Sequence, residues 1–178
     1  MIISGYPGVG KTTASKHFYD LVDIESKYFR SRDDGDGWIG GEEGLRRYIW
    51  LIRDLNNAGK VVLVSSHKEV RQRLIDDDGI YNEDIIFVCP RVEDESEWQA
   101  HLYQRWVDST EMKDWHAYKR AIKYFKADIE DIMLDKDKGI KVVTIKKDDL
   151  KEGLMLYLVK NRYVDYVNGM EEIIDDRY

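Results

Sequence analysis

One cysteine, Cys89, and four histidines are spread over 178 residues. A single thiol excludes an internal disulfide, and so few soft ligands leave almost no support for a structural zinc site. Cys89 ends the apolar run Ile85-Ile86-Phe87-Val88-Cys89, where an inert buried thiol is expected rather than a nucleophile. Positive charge is also scarce: 28 Lys and Arg stand against 35 Asp and Glu, a net charge of −7. That balance argues against a broad nucleic-acid surface or a membrane-binding face, while leaving room for a small basic pocket. No apolar run approaches membrane-spanning length and no signal-peptide pattern stands at the start, so the expected compartment is the cytoplasm. The guanine-reading element N-K-x-D, which a GTPase switch needs, is absent from the sequence.

Against these absences one short stretch states a chemistry. Gly5-Tyr6-Pro7-Gly8-Val9-Gly10-Lys11-Thr12 spells G-x-x-x-x-G-K-(S/T), the phosphate-binding loop of nucleoside triphosphatases and kinases. Its glycines let the backbone curl so that successive N–H groups face a β-phosphate. Lys11 reaches the β- and γ-phosphates, and the Thr12 hydroxyl is a Mg²⁺ ligand. The helix that starts near Gly10 aims its positive end at the same anion. With Thr13 these residues form the candidate nucleotide-binding set, and ATP and Mg²⁺ are the implied cofactors. The context agrees: Met1 to Ser4 reads as an apolar strand and Thr12 to Tyr19 as a helix, the strand–loop–helix arrangement the motif requires.

Four more stretches read as buried strands, at 20–24, 60–65, 84–89 and 140–145. Helical stripes lie between them, at 42–57, 67–76, 95–107 and 114–134, with a last helix capped by Asp148-Asp149 and a tail, 162–178, that forms a short helix or packs loosely. Such alternation predicts an α/β fold, a parallel sheet with helices on both faces, in one domain across residues 1–178. Two charged segments interrupt it, the glycine-rich 30–41 and 91–113. Both fall where strand C-termini end, the edge at which open α/β sheets bind ligands, and long insertions there are usually lids or substrate loops.

Beyond the loop, Asp23 closes the second strand. There it can hold Mg²⁺ through water, bind a substrate hydroxyl or act as a base toward it; the alternative is a helix cap. Ser65-Ser66-His67 follows the third strand, where phosphate-loop proteins often carry an acid, and Ser66 with Glu69 fits a capping box. Arg71 can grip a phosphate bidentately or remain a solvated surface arginine. Trp98, His101 and Arg105 share one helix face. A lid arginine closing over a moving phosphoryl group supplies much of the stabilisation it needs; Arg105 is the first candidate and Arg91 the second, with ion pairing to the acids at 93–97 as the competing role for Arg91. Trp38 can stack on a base or anchor its loop, and Arg30, Arg32, Arg46 and Arg47 flank it as candidates for a second phosphate. The expected catalytic set is Lys11, Asp23 and Arg105, the metal ligands Thr12 and Asp23, and the substrate contacts Asp23, Arg30, Trp38, Arg71 and Arg91.

Gly5 to Thr13 is similar to the G-x-P-G-x-G-K-x-T loop of adenylate kinases. With Asp23, Arg71, Arg91 and Arg105 in matching places, the chain resembles the P-loop nucleoside and nucleotide kinases, close to the nucleoside monophosphate kinases. Val61 to Arg71 followed by a lid helix is similar to the small nucleotide kinases often carried by bacteriophages. The resemblance implies a P-loop NTPase fold with a five-stranded sheet in the order 2-3-1-4-5, a substrate-binding region over about 25–58 and a lid over about 91–113. It also implies ATP- and Mg²⁺-dependent phosphorylation of a ribo- or deoxyribonucleoside monophosphate to the diphosphate. The loop is a specific match; the remainder of the chain matches loosely. Where adenylate kinases carry D-G-x-P-R, this chain has Ser65-Ser66-His67-Lys68, so adenylate as the acceptor does not follow. A hydroxyl acceptor (a nucleoside, a small metabolite or a polynucleotide 5′ end) stays open, as does ATP binding without turnover. The sequence is compatible with a homodimer.

Overall fold

The computed structural model describes residues 1–18, 20–30, 37–146 and 153–161. The expected cap at 148–149, the tail 162–178 and most of the charged part of the glycine-rich segment, Arg32 included, lie outside the described residues.

Five strands, β1 Ile2–Gly5, β2 Leu21–Asp23, β3 Val61–Ser65, β4 Ile85–Pro90 and β5 Lys141–Ile145, form one sheet in the order β2-β3-β1-β4-β5. Every neighbouring pair is parallel, so all five C-terminal ends emerge at one edge. The three central strands are mostly apolar and buried, Ile2 and Ile3, Val61 to Val64 and Ile85 to Cys89 being almost without exposure. Helices cover both faces, and alternation of apolar with polar residues therefore has no place there. The edge strand β5 does present Lys141 and Thr144 to solvent.

The helices are α1 Lys11–His17, α2 Glu42–Asn57, α3 Lys68–Ile75, α4 Glu95–Ser109, α5 Met112–Leu134 and α6 Gly153–Lys160. α2 buries Leu45, Tyr48, Ile49 and Ile52, a stripe at helical spacing, and carries Glu42 and Glu43 in its first turn, where acids suit the helix dipole. It stops at Ala58-Gly59, with the Lys60 N–H closing back on Leu55 O at 3.0 Å. α5 buries Ala121, Phe125, Ile129 and Ile132, and each such large apolar side chain stabilises the fold by about 1.5–3 kcal/mol. α4 contributes Trp98 and Leu102 to the core, so the first half of the expected lid is a packed part of the body.

Three local expectations differ. α1 ends at His17, and β2 is limited to Leu21–Asp23. The Ser66–Glu69 capping box does not form, because α3 begins one residue later with His67 at its boundary and no side-chain cap. The His67 N–H is instead held by Ser65 Oγ at 3.3 Å, and the Ser66 carbonyl accepts from Arg71 at 2.8 Å. Among the described residues no helix is long and apolar enough to cross a membrane.

Candidate functional site

The loop between β1 and α1 sits at the C-terminal edge of the sheet. Tyr6 N–H donates to Val88 O at 2.8 Å and Val9 N–H to Tyr6 O at 3.3 Å, which folds the chain back before α1 starts. Gly8 and Gly10 take φ values of 91° and 90°, a conformation that side-chain-bearing residues rarely adopt. Gly8 also lies under α4: a Cβ there would meet Trp98 Nε1 at 3.1 Å. That indole N–H donates to Pro7 O at 2.9 Å, so a helix about ninety residues downstream roofs the loop. Tyr6 packs edge-on against Phe125, ring centres 5.9 Å apart.

Lys11 turns back onto its own loop, its ammonium donating to Gly5 O at 2.5 Å and lying 3.4 Å from Tyr6 O. Burial pushes its pKa from 10.5 down to about 8; the Asp23 charge pulls upward, and Arg105 pushes down further. An anion at the loop reverses that balance, since an opposite charge favours the protonated amine.

Thr12 Oγ1 donates to Asp23 Oδ2 at 3.0 Å. The two expected metal ligands are therefore adjacent, one from the end of the loop and one from the end of β2. Among the described residues no group of three His, Cys, Asp or Glu side chains forms a metal cage. A hydroxyl and one carboxylate suit Mg²⁺, which takes few protein ligands and fills its shell with phosphate oxygens and water. Thr12 and Asp23 thus fit that ion in the presence of a nucleotide.

A cleft of about 1160 Å³ opens over the loop. Its lining includes Asp23, Glu25 and, from the turn between α4 and α5, Ser109 and Glu111. Lys113, in the first turn of α5, reaches Glu25 Oε1 at 3.2 Å and ties the turn to the sheet edge. Lys27 pairs with the other oxygen of Glu25 at 2.6 Å, and hydrogen bonds from Lys27 and Lys113 outweigh burial to hold the carboxyl below its usual range. Arg105 lines the cleft as well, 2.5 Å from Asp114 Oδ1. So do Ser65, Ser66, His67 and, on α5, Arg120, whose guanidinium is forked on Asp128 at 2.8 and 2.7 Å. Burial first, then the nearby charges of Arg30, Arg120 and Lys11, push the His67 imidazole down to about 4 against the pull of Glu69.

The structure brings Lys11, Thr12, Asp23, His101 and Arg105 to one cleft. Arg71 lines it too, but its guanidinium is satisfied by protein: Nε on Asp135 at 2.8 Å, one terminal nitrogen on Asp131 at 2.5 Å, the other on Ser66 O at 2.8 Å. Arg30 is buried, paired with Glu69 and stacked over the Trp38 ring at 4.9 Å. Trp38 lies against Tyr48, ring centres 5.3 Å apart, which is the anchoring alternative for that residue. Tyr48 in turn donates to Ile24 O at 2.9 Å, joining this cluster to the end of β2. Arg91 follows β4 and is not part of the cleft lining, and Arg46 and Arg47 pair with Glu43 on the outer side of α2. Sequence reasoning passed over Lys113, Asp114 and Arg120, and it did not see Trp98 as a brace. A Lys-Asp pair where the candidate lid gives way to a long helix was the available signal for the first two.

No protein-family model matches the chain. No curated protein matches it either.

Proposed function

We propose that this chain is a P-loop phosphotransferase that moves the γ-phosphoryl group of ATP to a nucleoside monophosphate. The observation that carries the reading is the convergence of Lys11, the Thr12–Asp23 pair and Arg105 on one cleft of about 1160 Å³. Ordinary small-molecule pockets run to about 1,000 Å³, so this one has room for a donor and an acceptor side by side. The sheet order and the left-handed glycines of the loop support a P-loop NTPase fold, and a cytoplasmic location suits such an enzyme.

In this reading the loop holds the triphosphate, and Lys11 leaves the Gly5 carbonyl to meet the β- and γ-oxygens. Thr12 and Asp23 hold Mg²⁺, which supplies positive charge against the phosphate oxygens. Arg105 faces the moving group from the α4–α5 side. The transfer has a loose transition state with charge spread over the equatorial oxygens, so positioning and cations do most of the catalysis. A monophosphate acceptor is already an anion and needs no strong base.

One observation favours a second reading. Arg71 and Arg120, two further arginines of the cleft lining, already have carboxylate partners in Asp131, Asp135 and Asp128. An acceptor with a hydroxyl in place of a phosphate asks for no free arginine, and Asp23 would then be its general base. ADP release from Mg-ATP separates the two, measured against a panel of ribo- and deoxyribonucleoside monophosphates, nucleosides and a 5′-hydroxyl oligonucleotide. Stimulation by monophosphates supports the first reading and stimulation by hydroxyl acceptors the second. Nucleotide binding without stimulation by any acceptor would remove the phosphotransferase proposal.

A further inference from the structure

Asp114 is a buried carboxylate at the mouth of the cleft, with 3% of its surface exposed. Its placement is over-determined. Ser109 Oγ donates to Oδ2 at 2.6 Å, and the Asp114 N–H donates to Glu111 O at 3.0 Å. The same Ser109 hydroxyl oxygen accepts from the Glu111 N–H at 3.1 Å. The turn it closes carries Thr110 at φ 55°, a strained value for a residue with a Cβ. Oδ1, the remaining oxygen, accepts no hydrogen bond but lies 2.5 Å from an Arg105 terminal nitrogen, a contact of opposite charges. Arg105 is about one-third exposed, and among the described residues Asp114 is its one ion-pair partner.

A buried charge of this kind is costly, and a well-packed apolar residue in its place is often neutral or stabilising. The turn alone does not need the second oxygen, because Ser109 uses the first. What the second oxygen does is hold, by charge, one end of a partly exposed arginine that lines the cleft. From this geometry we infer that Asp114 is a positioning residue, which sets where the Arg105 guanidinium stands when it meets the transferring phosphoryl group. The inference rests on the phosphotransferase reading and deepens it. Asp114 touches no substrate; it acts through Arg105, and so its loss should weaken binding of the transition state far more than binding of the ground state.

The test compares Mg-ADP plus acceptor with Mg-ADP, acceptor and aluminium fluoride, which mimics the moving phosphoryl group, the acceptor being the one that most stimulates ADP release; it is run on the full chain and on Asp114→Asn, Arg105→Ala and the double variant. Misplacing a catalytic group by an ångström can cost roughly a hundredfold. The expected result is a loss of about ten- to a hundredfold in fluoride-dependent tightening for each single variant, with ADP affinity changed less than about twofold. The double variant should be no worse than Arg105→Ala, because both act through one guanidinium. Asp114→Glu, which keeps the charge but moves it by a methylene, gives the same readout if Asp114→Asn folds poorly, and it should fall between wild type and Arg105→Ala. Unchanged tightening in the Asp114 variants, or losses that multiply in the double variant, would overturn the inference while leaving the phosphotransferase reading intact. A wild-type chain that binds ADP no tighter with the fluoride and any acceptor of the panel would overturn that reading, and this inference with it.

Discussion

The Thr12 hydroxyl donates to Asp23 Oδ2 across 3.0 Å, joining the first turn of α1 to the last residue of β2. Neither position acts alone in the proposed site. Thr12→Ala and Asp23→Asn should each weaken Mg²⁺-dependent nucleotide binding, by about ten- to a hundredfold if the pair holds the ion. A Mg²⁺ titration of ATP affinity reads this out. Turnover adds a discrimination: with a hydroxyl acceptor, Asp23→Asn also removes the base and should cost about 10²–10⁴ in kcat. Asp23→Asn that left both Mg²⁺ dependence and kcat at wild-type levels would remove Asp23 from the site.

Lys11 carries a pKa lowered to about 8 by burial, and this has two consequences of definite sign. The first concerns binding. At pH 8 the free protein is half protonated at Lys11, and a bound phosphate raises that pKa. Nucleotide binding should then take up about half a proton at pH 8, falling toward zero by pH 6 where the amine is already charged. Calorimetry in two buffers of different ionisation enthalpy measures the uptake, and Lys11→Met should abolish it. The second concerns stability. Below pH 8 both folded and unfolded chains hold the proton and the burial cost is carried in full. Between about 8 and the ordinary 10.5 the folded chain alone loses it, so the Lys11 contribution to stability improves as pH rises through that window.

Arg71 is nearly inaccessible, with 4% of its side chain exposed and Asp135 at 5% beside it. The pair fastens α3 to the end of α5. Removing one partner leaves the other with a single counter-charge, Asp131 for Arg71 and Lys138 for Asp135, so Arg71→Met and Asp135→Asn should each lose about 1–3 kcal/mol in urea melts. If Arg71 instead grips an acceptor phosphate, as the sequence alone allowed, Arg71→Met would raise the acceptor KM more than tenfold in a chain whose melt is unchanged.

The contrast between Lys11 and Arg71 explains what could be read from the sequence. Lys11 belongs to a contiguous motif whose geometry is local, so its neighbours in sequence are its neighbours in space. The central strands were legible for a similar reason: Val61 to Val64 and Ile85 to Cys89 are buried on both faces and therefore appear as unbroken apolar runs. Arg71 meets Asp135, Trp98 meets Pro7 and Lys113 meets Glu25 only after folding, across separations of 64, 91 and 88 residues. Before folding every arginine looks equally available, and only the partners brought in by α5 decide which are already satisfied. The Ser66 box failed on competition of the same kind. The pattern is present, but Ser65 Oγ takes the His67 N–H and Arg71 takes the Ser66 carbonyl, which delays the helix by a residue.

Trp98 makes the loop between β1 and α1 depend on α4. Its ring is fully buried, its N–H meets Pro7 O at 2.9 Å, and it fills the space over Gly8. Trp98→Phe keeps most of the apolar surface but deletes that hydrogen bond and strands the Pro7 carbonyl, a loss of about 1–3 kcal/mol. Because the orphaned group is on the loop itself, nucleotide affinity should fall alongside stability, by about threefold to tenfold, as part of that energy is drawn from loop order. Gly8→Ala attacks the same contact from below: it places a Cβ 3.1 Å from the indole nitrogen at a φ of 91°, and should cost more affinity than Trp98→Phe. Calorimetric Mg-ADP binding and urea melts on both variants decide the matter. A Trp98→Phe chain that is less stable yet binds ADP with wild-type affinity would make Trp98 a core residue only, and would leave the α4 end of the cleft without influence on the loop.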